Sequence, residues 1–293
     1  MWDVFPQEEH LGGAPLNFSA ASRRLGDSVL LLTAVGSDAR GESALNRMRA
    51  MGLSTELVQV IPDQATGTAI VSKNSSGDAD FVIQRPAAFD LLSFDESLIT
   101  RITSLHLEWI YFGTLWQTRA GNEAMLRQMV PRFPGARCYY DMNLREGHWN
   151  LALVQRLSAL ATVIKLNESE AQTLFRLTRG SEDFSLEGFC RQWSATYEVQ
   201  VICVTLGSKG CAVLSKDIFQ IFEGFPAKAV DTVGAGDAFA AAFLHGLHRQ
   251  WPMPRTAAFA NALGALVAGR AGAIPDWSVA EVEHRIAQGN GRP

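Results

Sequence analysis

A chain of 293 residues, 47% hydrophobic and 19% charged, has the composition of an enzyme-sized globular protein with ample material for a core. Its net charge of −4 and its scattered arginine pairs argue against a nucleic-acid partner, and the lack of any 18-residue apolar run argues against a membrane span. Met1 runs straight into Trp2-Asp3-Val4 with no leader-like pattern, so a cytoplasmic location is expected, and the cysteines at 138, 190, 203 and 211, without Cys-x-x-Cys spacing, read as free thiols rather than a disulfide or zinc framework.

In chain order, residues 28–36 (SVLLLTAVG) predict a buried strand and 39–52 a helix ending at Gly52. From 55 to 85 the pattern is β-rich, partly alternating, and broken by the turn signal Ser75-Ser76-Gly77-Asp78. No helix-length pattern intervenes, so antiparallel strands are expected, joined by the segment around Trp2. They read as a small sheet outside the main fold, a lid of residues 1–11 and 55–86, or, with equal weight, as an antiparallel edge of the main sheet. Apolar runs at 107–113, 137–143, 162–167 and 199–205 predict further buried strands, separated by helical patterns at 119–133, 150–160, 168–178 and 185–196. This rhythm predicts an α/β fold, a doubly wound, mainly parallel sheet flanked by helices, over residues 12–54 and 87–293. The alanine-rich stretches that follow Asp237 and Arg255 are apolar on nearly all sides and predict buried helices.

At Val230–Phe239 the chain reads VDTVGAGDAF. Glycine at 234 and 236 permits φ > 0 and close approach of another molecule. The helix that follows starts with N–H groups lacking intrahelical partners and with the positive end of its dipole. Together these make an anion cradle, with a phosphate as natural occupant. Asp237 alone reads as a capping acid. However, Asp231 already stands upstream and the residues after Asp237 are apolar, which points the helix start inward. A carboxylate in a cleft beside an anion hole can take a proton from a hydroxyl attacking the phosphate.

DTVGAGDAF (231–239) resembles the C-terminal signature of the ribokinase-like (PfkB) family of sugar and nucleoside kinases. GGAPLNFSAASRRLG (12–26) with VGSDARG (35–41) resembles its N-terminal signature, NESE (167–170) its Asn-x-x-Glu magnesium motif, and TLGSKG (205–210) its nucleotide loop. The segments 12–15, 84–92 and 141–149 are most similar to bacterial fructokinases and 2-keto-3-deoxygluconate kinases. The resemblance implies an ATP-dependent sugar kinase with Asp237 as general base and Gly234, Ala235 and Gly236 as anion hole. It places Asp3, Gly12, Gly13 and Asn17 on the sugar, and Thr205, Gly207, Gly210, Asn167 and Asn261 on the nucleotide side. Asn167 and Glu170 would hold water ligands of Mg²⁺, and a monovalent cation, K⁺, would lie near Asp231 with carbonyls around 270–272. Family members run a core strand ahead of the aspartate matching Asp3, so this chain's first strand is expected to be shortened, or the sequence truncated.

Read without the family, Asn167–Glu170 is an acid-enriched helix start, residues 205–210 are a hairpin, Lys209 is solvated, and Asp3 is a terminal acid. Asn261 is an amide in an apolar helix that needs partners. Asp141, Asn143 and Arg145 alternate, so a strand would put all three on one face at its C-terminal edge, where doubly wound sheets bind ligands. By resemblance Arg145 contacts the sugar or the transferred phosphate. No Gly-Lys dipeptide occurs and Phe239 replaces the third glycine of a dinucleotide fingerprint, which removes a Walker loop and disfavours a dehydrogenase. Fructose is the first expected acceptor, then 2-keto-3-deoxygluconate, then ribose or a nucleoside. A non-catalytic sugar or nucleotide sensor is the competing class. Lid strands pairing across a homodimer are a further expectation.

Overall fold

The computed structural model describes residues 1–73, 79–119, 121–180 and 183–289. It divides the chain into two compact units, Met1–Ser93 with the stretch from Ala227 onward, and Phe94–Pro226. The turn signal at 75–78 lies outside the described residues.

The first unit opens with β1 (Trp2–Val4) and β2 (Glu9–Leu11), antiparallel with Asp3 opposite His10. α1 (Ala14–Arg24) starts from Gly13, whose φ of 101° no β-carbon favours, with proline in its first turn where the missing N–H has no helical partner to lose. β3 (Thr33–Gly36), α2 (Ala39–Ala50) and β4 (Val58–Ile61) form a strand–helix–strand crossover, β3 and β4 running parallel. β5 (Thr68–Lys73) and β6 (Ala79–Ile83) complete a four-stranded sheet of order β2-β1-β5-β6.

Some expectations are corrected here. Residues 58–61, assigned to the lid, pair with β3 because the α2 crossover returns the chain beside it. The strand expected over 28–36 shrinks to β3 and an isolated bridge between Leu30 and Ser54. The strands β2-β1-β5-β6 make a sheet of their own and not the edge of a larger one, and on it Trp2 and Leu11 are buried in one cluster with Leu16, Ala20, Val35, Ala44 and Met48.

The second unit contains α3 (Glu96–Thr103), β7 (Trp109–Gly113), α4 (Asn122–Met129), β8 (Arg137–Asp141), α5 (Leu151–Ser158), β9 (Val163–Asn167), α6 (Glu168–Arg179), α7 (Leu186–Tyr197), β10 (Val201–Thr205), β11 (Gly210–Ser215) and β12 (Ile218–Glu223). They build a six-stranded sheet of order β12-β11-β10-β9-β8-β7. β7 to β10 are parallel and β11 and β12 antiparallel. Tyr139, Tyr140, Ile164, Leu166, Ile202 and Cys203 are fully buried, as parallel strands covered by helices must be. Each strand predicted in this unit is present, trimmed by a residue or two.

The chain then returns to the first unit with α8 (Ala235–His248), α9 (Met253–Ala268) and α10 (Val279–Gly289). Small residues let α8 and α9 approach closely: at Gly264 an added Cβ would lie 3.4 Å from the Ala235 carbonyl. α8 also packs against α1. Near its C-terminal end, His245 is buried with Nδ1 2.9 Å from Asp27 Oδ1 and its ring edge-on to Trp251. All four cysteines are buried and free. Among the described residues no helix is long and apolar enough to cross a membrane. The architecture is the expected α/β class, mainly parallel strands flanked by helices.

Candidate active site

In the first unit, the glycine turn after β2 puts Asn17 in the opening turn of α1, and the Gly234 turn puts Asp237 in the opening turn of α8. The α1–α8 packing brings them together: Asn17 Nδ2 donates to Asp237 Oδ2 at 2.8 Å. Both side chains are buried, and Asp3 on β1 is buried with them. Gly12 fills the space beside them. A Cβ there would sit 2.7 Å from Asp3 Oδ2 and 3.9 Å from Asn17 Oδ1, so any larger residue would have to displace the Asp3 carboxylate. Asn17 Oδ1 is buried without a hydrogen-bond partner. Such an oxygen, left without a water or a ligand donor, costs about 1–3 kcal/mol.

Gly234 has φ 79° and would drive a Cβ to within 2.2 Å of the Ala273 carbonyl; its glycine is required by backbone contact as well as by its dihedral. Of the expected anion hole, the Ala235 N–H bends back to Thr232 O at 3.3 Å, a weak bond, while Gly236 is exposed at the helix start. Asp231 Oδ1 accepts the Val233 N–H and Oδ2 the Gly272 N–H, each at 3.0 Å. Its carboxylate thus ties this turn to the segment after α9. Asn261 is buried on α9.

In the second unit, Asp141 is buried at the end of β8 beside its register partner Lys165 on β9. Lys165 Nζ lies 2.9 Å from Asp141 Oδ1, and the Tyr111 hydroxyl donates to Oδ2 at 3.0 Å. Asn143 adopts φ 42°. The expected single face of Asp141, Asn143 and Arg145 is therefore corrected: the strand stops at Asp141, the turn breaks the alternation, and Asp141 faces an internal counter-charge. Arg145 is exposed.

Asn167 and Glu170 form a reciprocal cap of α6. Asn167 Oδ1 accepts the Glu170 N–H at 2.8 Å, and Glu170 Oε2 accepts the Asn167 N–H at 2.8 Å. Glu170 Oε1 accepts the Leu144 N–H at 2.7 Å. Burial pushes the Glu170 carboxyl above its usual range, against the opposing pull of the Asn167 amide and the Lys165 charge. Each Glu170 oxygen thus accepts one backbone N–H and keeps a second lone pair; among the described residues no cluster of His, Cys, Asp or Glu is arranged to hold a metal directly.

Thr205 Oγ1 sits 3.4 Å from the Leu166 carbonyl. Gly207 (φ 61°) and Gly210 (φ 110°) turn β10 into β11, and a Cβ on Gly210 would lie 2.1 Å from Phe222 O. At Gly210 the close neighbour is the chain's own β12 backbone.

Lys165, with Tyr111, was not singled out from the sequence. The signal was present: a lysine in the apolar run TVIKLN has to find a carboxylate if that run is buried.

The family model for pfkB family carbohydrate kinases matches residues 4–280, and the chain belongs to that family. It is 30% identical to fructokinase-1 of Zea mays over 281 residues, covering 90% of this chain and 84% of that protein. The crystal structure of fructokinase with bound ATP from Xylella fastidiosa superimposes with a TM-score of 0.86 at 22% identity, covering 99% of this chain and 96% of that one. That of fructokinase from Vibrio cholerae O395 in fructose, ADP and calcium ion bound form gives 0.83 at 26% identity, covering 97% and 96%. The chain is a sugar kinase, a phosphotransferase by class.

Proposed function

We propose that this chain transfers the γ-phosphoryl group of ATP to a hydroxyl of fructose, with Asp237 as general base. One observation carries the assignment of roles: the buried Asn17–Asp237 hydrogen bond beside Asp3 and Gly12, with Asn17 Oδ1 left open. A sugar hydroxyl donating to that oxygen would satisfy it and lie next to the carboxylate. Asp237, held by Asn17, accepts the proton of the attacking hydroxyl, and Asp3 binds a second hydroxyl. N–H groups at the Gly234–Gly236 turn take up charge on the group in transfer. A divalent cation would supply neutralisation of the nucleotide phosphates when bound; the Vibrio cholerae fructokinase structure is a calcium ion bound form. Fructose is favoured by the run of fructokinases among the relatives.

The test is ADP release by the full chain with ATP and Mg²⁺ across D-fructose, 2-keto-3-deoxygluconate, D-ribose and inosine. Fructose is expected to give the highest kcat/KM. A higher value for another acceptor replaces fructose with it, and binding of fructose without ADP release for any acceptor favours a sensor.

A further inference from the structure

We infer that Asp27 and His245 are positioning residues for the reaction: their contact ties α1 to α8 at the ends away from the site, and so fixes the register in which Asn17 meets Asp237. This rests on the reading of Asp237 as the general base. All four residues lie in the first unit. Two polar contacts join the helix pair. One is Asn17 to Asp237, between the opening turns. The other is His245 Nδ1, 2.9 Å from both Asp27 Oδ1 and Asp27 Oδ2, between the far ends. A carboxylate can only accept, so Nδ1 carries the hydrogen. His245 lies about 12 Å along α8 from Asp237, so the two helices run side by side in one direction and are pinned at both ends.

The ends of both helices are built to hold this tie. α1 closes with Gly26 at φ 89°, the Asp27 N–H reaching back to Ser22 O at 3.0 Å and the Gly26 N–H to Arg23 O at 3.1 Å. This Schellman close fixes the backbone that carries the Asp27 carboxylate. α8 closes in the same way: Gln250 has φ 54° and the Trp251 N–H donates to Gly246 O at 2.9 Å. That turn brings Trp251 edge-on to the His245 ring, centroids 5.3 Å apart, and Phe259 of α9 stacks on the ring at 6.3 Å. Between the ties the buried positions are largely small, with Ala20, Ala21 and Ser22 on α1 and Ala238, Ala241 and Ala242 on α8. Small side chains make shallow ridges, which let helices approach closely but resist sliding only weakly. The polar contacts at the ends therefore set the register. A slide of α1 along α8 misdirects the Asn17 bond and with it the Asp237 carboxylate, and small misplacements of a reacting group are costly in rate.

The experiment uses the full chain in a double-mutant cycle of wild type, Asp27→Ala, Asn17→Leu and both together, with Asp27→Asn as the conservative variant that keeps the shape and one acceptor oxygen. The readouts are kcat/KM for ADP release with ATP, Mg²⁺ and D-fructose, and amide exchange by mass spectrometry of peptides covering 14–20 and 23–28. Asp27→Ala is expected to lower kcat/KM about tenfold or more when Asn17 is present, and less than about threefold once Asn17 is replaced, where independent sites this far apart would simply add. Asp27→Asn should fall between Asp27→Ala and wild type. Exchange in Asp27→Ala should rise in 14–20 as well as in 23–28. Equal losses in both backgrounds, or no loss in either, overturn the inference, and so does raised exchange confined to 23–28, which would make the contact a local cap. If wild type releases no ADP with fructose, or Asp237→Asn turns over like wild type, the underlying reading fails by itself, and the exchange arm alone decides whether the far contact holds the opening turns.

Discussion

The Asn17–Asp237 pair of the first unit and the Asp141–Lys165–Glu170 group of the second are both polar clusters set into apolar surroundings, and they differ in what is left over. In the second, Asp141 takes Lys165 and Tyr111 while Glu170 takes two backbone N–H groups. In the first, Asn17 Oδ1 has no hydrogen-bond partner, and a Cβ at Gly12 would crowd the neighbouring Asp3 carboxylate. A saturated cluster stabilises and positions. A cluster with one buried valence open carries a cost in the empty protein that a ligand can remove. Variants in the second group should therefore change stability or geometry, and variants in the first should change ligand affinity and turnover.

The largest effect on stability is expected from Lys165→Met, which strands the Asp141 carboxylate in the interior at a cost of about 3–5 kcal/mol in denaturant unfolding. Adding Asp141→Leu should recover most of it; a single variant as stable as wild type would remove the distinction between the two clusters. Gly234→Ala comes next, with about 1–3 kcal/mol lost in the same measurement and turnover abolished, because its Cβ would enter the Ala273 carbonyl. Asn17→Leu removes both the bond to Asp237 and the open acceptor. Fructose KM should rise about tenfold or more, near 1.4 kcal/mol, with a smaller change in unfolding; the reverse pattern would make Asn17 a scaffold residue.

Arg156→Ala is the smallest. Arg156 grips Glu123 with two bonds, at 2.6 and 2.7 Å, and this contact holds the Glu123 carboxyl below its usual range. A depressed carboxylate stabilises the fold above its unfolded pKa and loses that contribution as pH falls through its folded one. The cost of Arg156→Ala should be about 0.2–1 kcal/mol at neutral pH for so exposed a pair and should vanish in strong acid.

The alternation of apolar runs and helical stretches made the second unit's sheet legible, because parallel strands covered by helices need nearly unbroken apolar sequence. The partner of 58–61 was not legible: local alternation says strand but cannot say against which neighbour, and α2 decides that. Asp3, Asn17 and Asp237 stood out through their glycines and motifs, and the structure gathers them. The alternation of Asp141, Asn143 and Arg145 misled because one left-handed residue, φ 42° at Asn143, ends the strand; asparagine adopts that conformation more readily than most residues, and the strand pattern outweighed this signal. Glu170 was visible as an acid three positions after Asn167, a spacing shared by a helix cap and a metal motif, and only its bond to Leu144 shows what its second oxygen does.

The base assignment is tested most directly by Asp237→Asn, which keeps the shape of the side chain and removes its ability to accept a proton. With saturating ATP, Mg²⁺ and fructose, kcat for ADP release should fall by about 10²–10⁴-fold, while ATP and fructose still bind within about threefold of wild type. Turnover by the variant close to that of wild type would show that the proton leaves by another route.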